Sequence, residues 1–128
     1  MLNNTGITKV SGAAPVQILY NVQNQMSVGI KLAKNFAGAV TENNRKIVKA
    51  GTPLTGDLTN RSAAFSAAAG SAVGVLLHDV DVTDSDANAT LLIWGFVNLN
   101  RVDATTKALL TTEVQTSLAG KVYFLSDN

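Results

Sequence analysis

Short runs of alternating apolar and polar residues recur along this chain, and a period of two predicts strands. Met26-Ser-Val-Gly-Ile-Lys-Leu32 alternates strictly, which puts Met26, Val28, Ile30 and Leu32 on one face. Val16-Gln-Ile-Leu-Tyr-Asn-Val22 alternates in part, and Arg45 to Ala50, Ala89 to Val97 and Lys121 to Leu125 are rich in β-formers. Glu42-Asn-Asn-Arg45 reads as a turn. Gly51-Thr52-Pro53 is expected to stop the strand before it, because proline removes a ladder donor. Val73-Gly-Val-Leu-Leu-His-Asp-Val80 is a continuous apolar run suited to a buried strand, joined to the next by the turn-rich stretch Asp81 to Asn88.

One segment departs from that period. Leu109, Leu110, Val114 and Leu118 mark a narrow helical face, with Asp103 at the N-cap position and Gly120 just past the end. The threonine pairs 105–106 and 111–112 lower helix propensity, so packing must support this helix. Thr55 to Gly70 is polar and then Ala-rich; propensity allows a helix around Arg61 to Ala69 without fixing one. Residues 1–15 read as an N-terminal arm ending at Pro15, and 16–128 as a single domain. The pattern predicts a mainly β (α+β) fold with one C-terminal helix.

Composition narrows the function classes. Charged residues are 15% of the 128, against about 25% in an ordinary domain, while Asn, Ser and Thr number 33. The surface is therefore expected to be polar but largely uncharged, and a net charge of +1 does little to keep copies apart. With no cysteine there is no disulfide, thiol nucleophile or thiolate metal site, and the single His78 cannot build a multi-histidine site. Near-neutral charge argues against nucleic-acid binding. Met1 to Lys9 lacks the apolar run of a signal peptide, and Ala63 to Leu77 is too short and too broken by serine and glycine to span a bilayer. The expectation is a soluble protein made in a cytoplasm, with no cofactor, no membrane partner and no small-molecule substrate.

Four groups could carry chemistry. Asp79, Asp81, Asp84 and Asp86 are hard oxygen ligands at short spacing, but they lack the central glycine and closing glutamate of a calcium loop; a solvated loop is the plainer reading. His78 beside Asp79 invites a hydrolase, yet neighbours on a strand face opposite ways, and Gly70-Ser-Ala-Val-Gly74 is not a nucleophile elbow. Arg45, Lys46 and Lys49 form a basic cluster without interleaved aromatics, which reads as a solvated strand face or a contact for an acidic partner. Trp94 and Phe96 share one strand face, with core packing as the first expectation and an interface anchor as the second.

Three segments in order, Lys49-Ala-Gly-Thr-Pro-Leu54, Ala72-Val-Gly-Val-Leu-Leu-His-Asp-Val-Asp-Val82 and Leu92-Ile-Trp-Gly-Phe-Val-Asn98, resemble tailed-bacteriophage head decoration proteins, including the head fibre family. The motif positions are Gly51, Thr52, Pro53, Leu54, Gly74, Asp79 and Gly95. The resemblance implies a small β-tulip-like or barrel-like domain that trimerises at local threefold positions on the major capsid protein of a phage shell. It also implies an arm that orders against the shell, with Asn3, Asn4, Thr5, Thr8 and Lys9 as contact candidates, no catalytic residues, and a place on the outside of the virion. The resemblance extends more distantly to the decoration proteins of the phage lambda type, whose pattern is shorter than this chain's over Val16 to Phe36. The alternatives are a small fibre or carbohydrate-binding module, which exposed aromatics would favour, and a hydrolase built on His78.

Overall fold

The computed structural model describes residues 17–20 and 23–126; the arm assigned to residues 1–15, with its five contact candidates, lies outside them. The described residues form nine strands: β1 (Met26–Leu32), β2 (Val40–Glu42), β3 (Arg45–Val48), β4 (Pro53–Thr55), β5 (Ala64–Ala67), β6 (Gly74–Leu76), β7 (Val80–Asp81), β8 (Ala87–Asn98) and β9 (Val122–Leu125). Two short helices, α1 (Ala104–Lys107) and α2 (Thr112–Ser117), lie between β8 and β9. The fold is mainly β, as the alternation predicts.

The larger sheet runs β9-β8-β1-β5-β4-β6, and β6 pairs back onto β8, so five of its six strands form a near-closed ring. Strands β2, β3 and β7 make a second, smaller sheet. Its hairpin is built by Asn43 and Asn44, whose φ angles of 50° and 63° are those of a two-residue primed turn between the paired Glu42 and Arg45.

The continuous apolar runs follow from burial on two sides. Leu76 and Leu91 point into the ring with Ile30, Leu32, Leu54 and Phe65, whereas Val75, Leu77 and Leu92 point outward against Leu110, Val114 and Leu118. Strands β6 and β8 thus form a wall between two cores, and such a wall cannot show the polar alternation of a half-exposed strand. Strand β8 also carries one extra residue: Met26 pairs with Trp94 but Ser27 with Leu92, which leaves Ile93 as a bulge. Parity flips there, so Val97 rejoins Leu92 in the helix-side core while Trp94 turns outward.

Several expectations change. The Ala-rich run is a strand, not a helix: Phe65 is buried between exposed Ala64, Ser66 and Ala67, a strand pattern that alanine propensity hides. The strand before Gly51-Thr52-Pro53 does stop there, at Val48, but Pro53 itself opens β4 opposite Val75, a strand's first position, where its missing N–H is tolerated. The Val73–Val80 run is broken, with Leu77 to Asp79 leaving one sheet before Val80 enters the other. Of the strand expected over 16–22, the described part makes a single bridge, Leu19 to Val97.

The C-terminal helical segment is split in two. Asp103 caps α1 by accepting from Thr105 N at 3.2 Å, and Gly120 has φ +80° past the end, both as expected. Thr111, however, caps α2 by accepting from Val114 N at 3.3 Å, so a threonine that looked merely unfavourable starts a new helix. The break turns Leu109 out to solvent and keeps Leu110, Val114 and Leu118 inside. The helices supply the crossover that lets β9 run parallel to β8.

Candidate functional site

The first two motif segments fold against each other. Gly51 N donates to Leu76 O at 2.7 Å and Leu76 N to Thr52 O at 2.9 Å, which locks the turn before β4 onto β6. Thr52 is buried and its hydroxyl donates to Lys49 O at 2.6 Å. Pro53 and Leu54 are registered with Val75 and Gly74. Gly51 has φ +98°, a conformation that favours glycine, and a Cβ there would lie 2.9 Å from Val102 Cγ1. A Cβ on Gly74 would meet the Leu92 carbonyl oxygen and lie 2.9 Å from Leu91 Cγ. Asp79 accepts from Ala50 N at 2.7 Å and contacts Lys49 Nζ at 3.3 Å, closing the unit. Gly95 lies apart, beyond the bulge, where a Cβ would sit 3.2 Å from Gln25 Cβ. These motif residues carry close packing and backbone pairing.

The acidic loop and the basic cluster, separate in the sequence, neutralise each other. Arg45 Nε reaches Asp81 at 2.8 Å and Arg45 Nη2 reaches Asp84 at 3.0 Å, while Lys49 bridges Glu42 at 3.1 Å and Asp79. Asp86 is turned elsewhere and accepts from Lys34 N at 2.9 Å. Partial burial opposes the charge on Lys49, but Glu42 and Asp79 outweigh it and raise its pKa. Arg45 thus holds Asp81 and Asp84, Lys49 holds Asp79 and the Lys34 N–H holds Asp86, and among the described residues no group of three acidic or histidine side chains converges as a metal site. His78 is exposed, and no hydrogen bond joins it to a serine among the described residues. A cleft of about 210 Å³ beside Lys49, Asp79, Arg101 and Asp103 is smaller than the usual small-molecule pocket of about 300–1,000 Å³.

This network carries a pH prediction. Arg45 first, and then the hydroxyl and N–H of Thr83, hold the Asp81 carboxyl down to about 2 from its ordinary 3.8. A depressed carboxylate contributes stability above its unfolded pKa and loses it as pH falls through the folded one. Between pH about 4 and 2 the protein is expected to lose more stability than Asp81→Asn does, as read from denaturant midpoints across that range. Parallel acid limbs would refute the assignment. The pair is solvent-exposed, so the difference should be small and should shrink with salt.

The candidate site is built around Trp94, which alternation places in the core and the structure exposes, together with exposed side chains for which the sequence predicts no role. Tyr20 N donates to Phe96 O at 2.7 Å, Phe96 is registered with Tyr123, and Met26 with Trp94, so these side chains share one sheet face. Trp94 is 41% exposed, Tyr123 44%, Tyr20 51% and Met26 58%, with Leu125 beside them. Phe96 and Tyr123 stack with ring centroids 5.4 Å apart, and Trp94 meets Phe96 edge-on at 5.8 Å. The core assignment of Trp94 is therefore corrected, because the Ile93 bulge reverses the facing of the rest of the strand. No residue pattern announces that bulge. No protein-family model matches the sequence, and no curated protein matches it.

Proposed function

We propose that this is a structural virion protein, not an enzyme, which binds the major capsid protein on the outside of a bacteriophage head and stabilises the shell as a homotrimer at local threefold positions. The observation that carries the reading is the joining of the first two resembling segments into one packed unit, with Gly51, Thr52, Leu54, Gly74 and Asp79 all making its close contacts. A motif whose glycines and aspartate hold strands together suits a scaffold presented to a partner better than a reaction centre. The third segment, with Gly95, leads from this unit into the exposed aromatic face. A trimer that engages several shell subunits gains from effective concentration, so weak single contacts add up. Binding only the assembled shell stabilises it by about 4 kcal/mol at a free concentration of about 1,000 times the dissociation constant.

The test is to mix the protein with expanded tailed-phage shells that lack decoration. Saturable co-sedimentation with a raised shell melting temperature is expected, and no binding would overturn the reading. A second reading, a small fibre or carbohydrate-binding module, draws on the exposed Trp94 and Tyr123. The stacking of Tyr123 on Phe96 closes one face of each of those rings and so reduces the platform a sugar would use.

A further inference from the structure

We infer that the aromatic face of β8 and β9 is where copies of this chain meet. Five of the seven large hydrophobic side chains that stand exposed among the described residues, namely Tyr20, Met26, Trp94, Tyr123 and Leu125, gather on this one face. At about 200 Å² per side chain of this size, their exposed fractions leave about 450 Å² of apolar surface on each copy. That matches the largest patches on soluble monomers, which are often functional. Two such faces with their polar rims bury about 1,000 Å², the threshold for a specific interface.

A second copy fits this face better than the other occupants. None of the five side chains is charged, so two identical faces meet without burying an ion, and the net charge of +1 offers little repulsion. Aromatic and methionine side chains are what interface centres enrich. Among the described residues strand β9 is the last of the larger sheet, and its outer edge is continuous with the face, so backbone pairing between copies can extend the contact. Phe96 and Tyr123 turn one ring face toward each other, which reduces the open platform a sugar would use. The inference rests on the proposed trimer in that three such faces would converge on its axis, each meeting the other two, and it is tested without shells so that the two ideas can fail separately.

Trp94 is the single tryptophan and stands on this face, so it reports the contact directly. The mass of the full chain in solution and acrylamide quenching of Trp94 are to be followed across the micromolar range. The expected result is a mass above that of the monomer, with quenching that falls several-fold as concentration rises. Tyr123→Lys and Met26→Lys put charge on the face at already exposed positions; both should stay monomeric, keep Trp94 open to quencher and melt like the diluted parent. A parent that stays monomeric with Trp94 freely quenched overturns the inference, as does an oligomer that neither variant dissociates. A monomer with Trp94 protected also overturns it, because another segment of the same chain then covers the face. A protein that binds shells while failing here keeps its proposed function and loses this contact; one that associates here but ignores shells does the reverse.

Discussion

Gly74→Ala is expected to cost at least about 3 kcal/mol, the upper end for an overpacked core. Strand β6 crosses β8 so closely at this point that an added Cβ meets the Leu92 carbonyl oxygen, a backbone atom held in the ladder, as well as the Leu91 side chain. A side chain could swing aside, but the carbonyl moves only if β8 moves, and β8 is the wall shared by both cores. The urea midpoint should fall by more than about 1 M, given slopes of about 1–3 kcal/mol/M for small proteins. Gly29→Ala is the control. That residue is exposed in β1 with nothing within 4 Å of a new Cβ, so alanine should be neutral or stabilise by up to about 1 kcal/mol, through the lower entropy of the unfolded chain. Equal effects at the two positions would show that β6 and β8 do not pack as described.

The same wall explains what could be read in the sequence and what could not. Strand β1, the hairpin turn at Asn43–Asn44, β8, β9 and the caps at Asp103 and Gly120 are local signals: a period of two, paired asparagines, a capping side chain and a glycine at positive φ. Each is decided within a few residues, so each is legible. Closure of the ring depends on β6 returning to β8 and on β1 pairing parallel with β5, contacts between segments far apart in the chain with no local signature. The candidate surface was missed for a related reason. Alternation assigns Trp94 and Phe96 to a common face correctly, but which face meets solvent depends on the bulge at Ile93, and a single extra residue reverses every later assignment in the strand. Charge pairing was hidden in the same way, because Arg45 and Asp81 are 36 residues apart and meet only once β3 lies beside β7.

Phe65→Ala is expected to cost about 3–5 kcal/mol, the range for removing a buried aromatic, although its neighbours in sequence suggest a helix that would not need it. Phe65 is 2% exposed and is the only large side chain in β5, a strand otherwise made of Ala64, Ser66 and Ala67. Its ring packs with Ile30, Leu32 and Leu54 inside the ring of strands, and Gly56 leaves the room it occupies, since a Cβ there would fall 2.5–2.8 Å from the ring atoms. Strand β5 joins β1 to β4, so this one side chain supplies most of the burial that keeps the ring closed at that point. For a domain with a total stability of about 5–15 kcal/mol, the loss is a large share, and in an unstable background it unfolds the protein outright. Phe65→Leu keeps most of the volume and should cost about half as much or less. The two variants separate packing from propensity: alanine is the better helix former, so if residues 61–69 were held as a helix, Phe65→Ala would be the milder change. Denaturant midpoints that rank Phe65→Leu above Phe65→Ala, together with faster amide exchange in β5 than in β8 for the alanine variant, are the expected result. The opposite ranking would refute the strand.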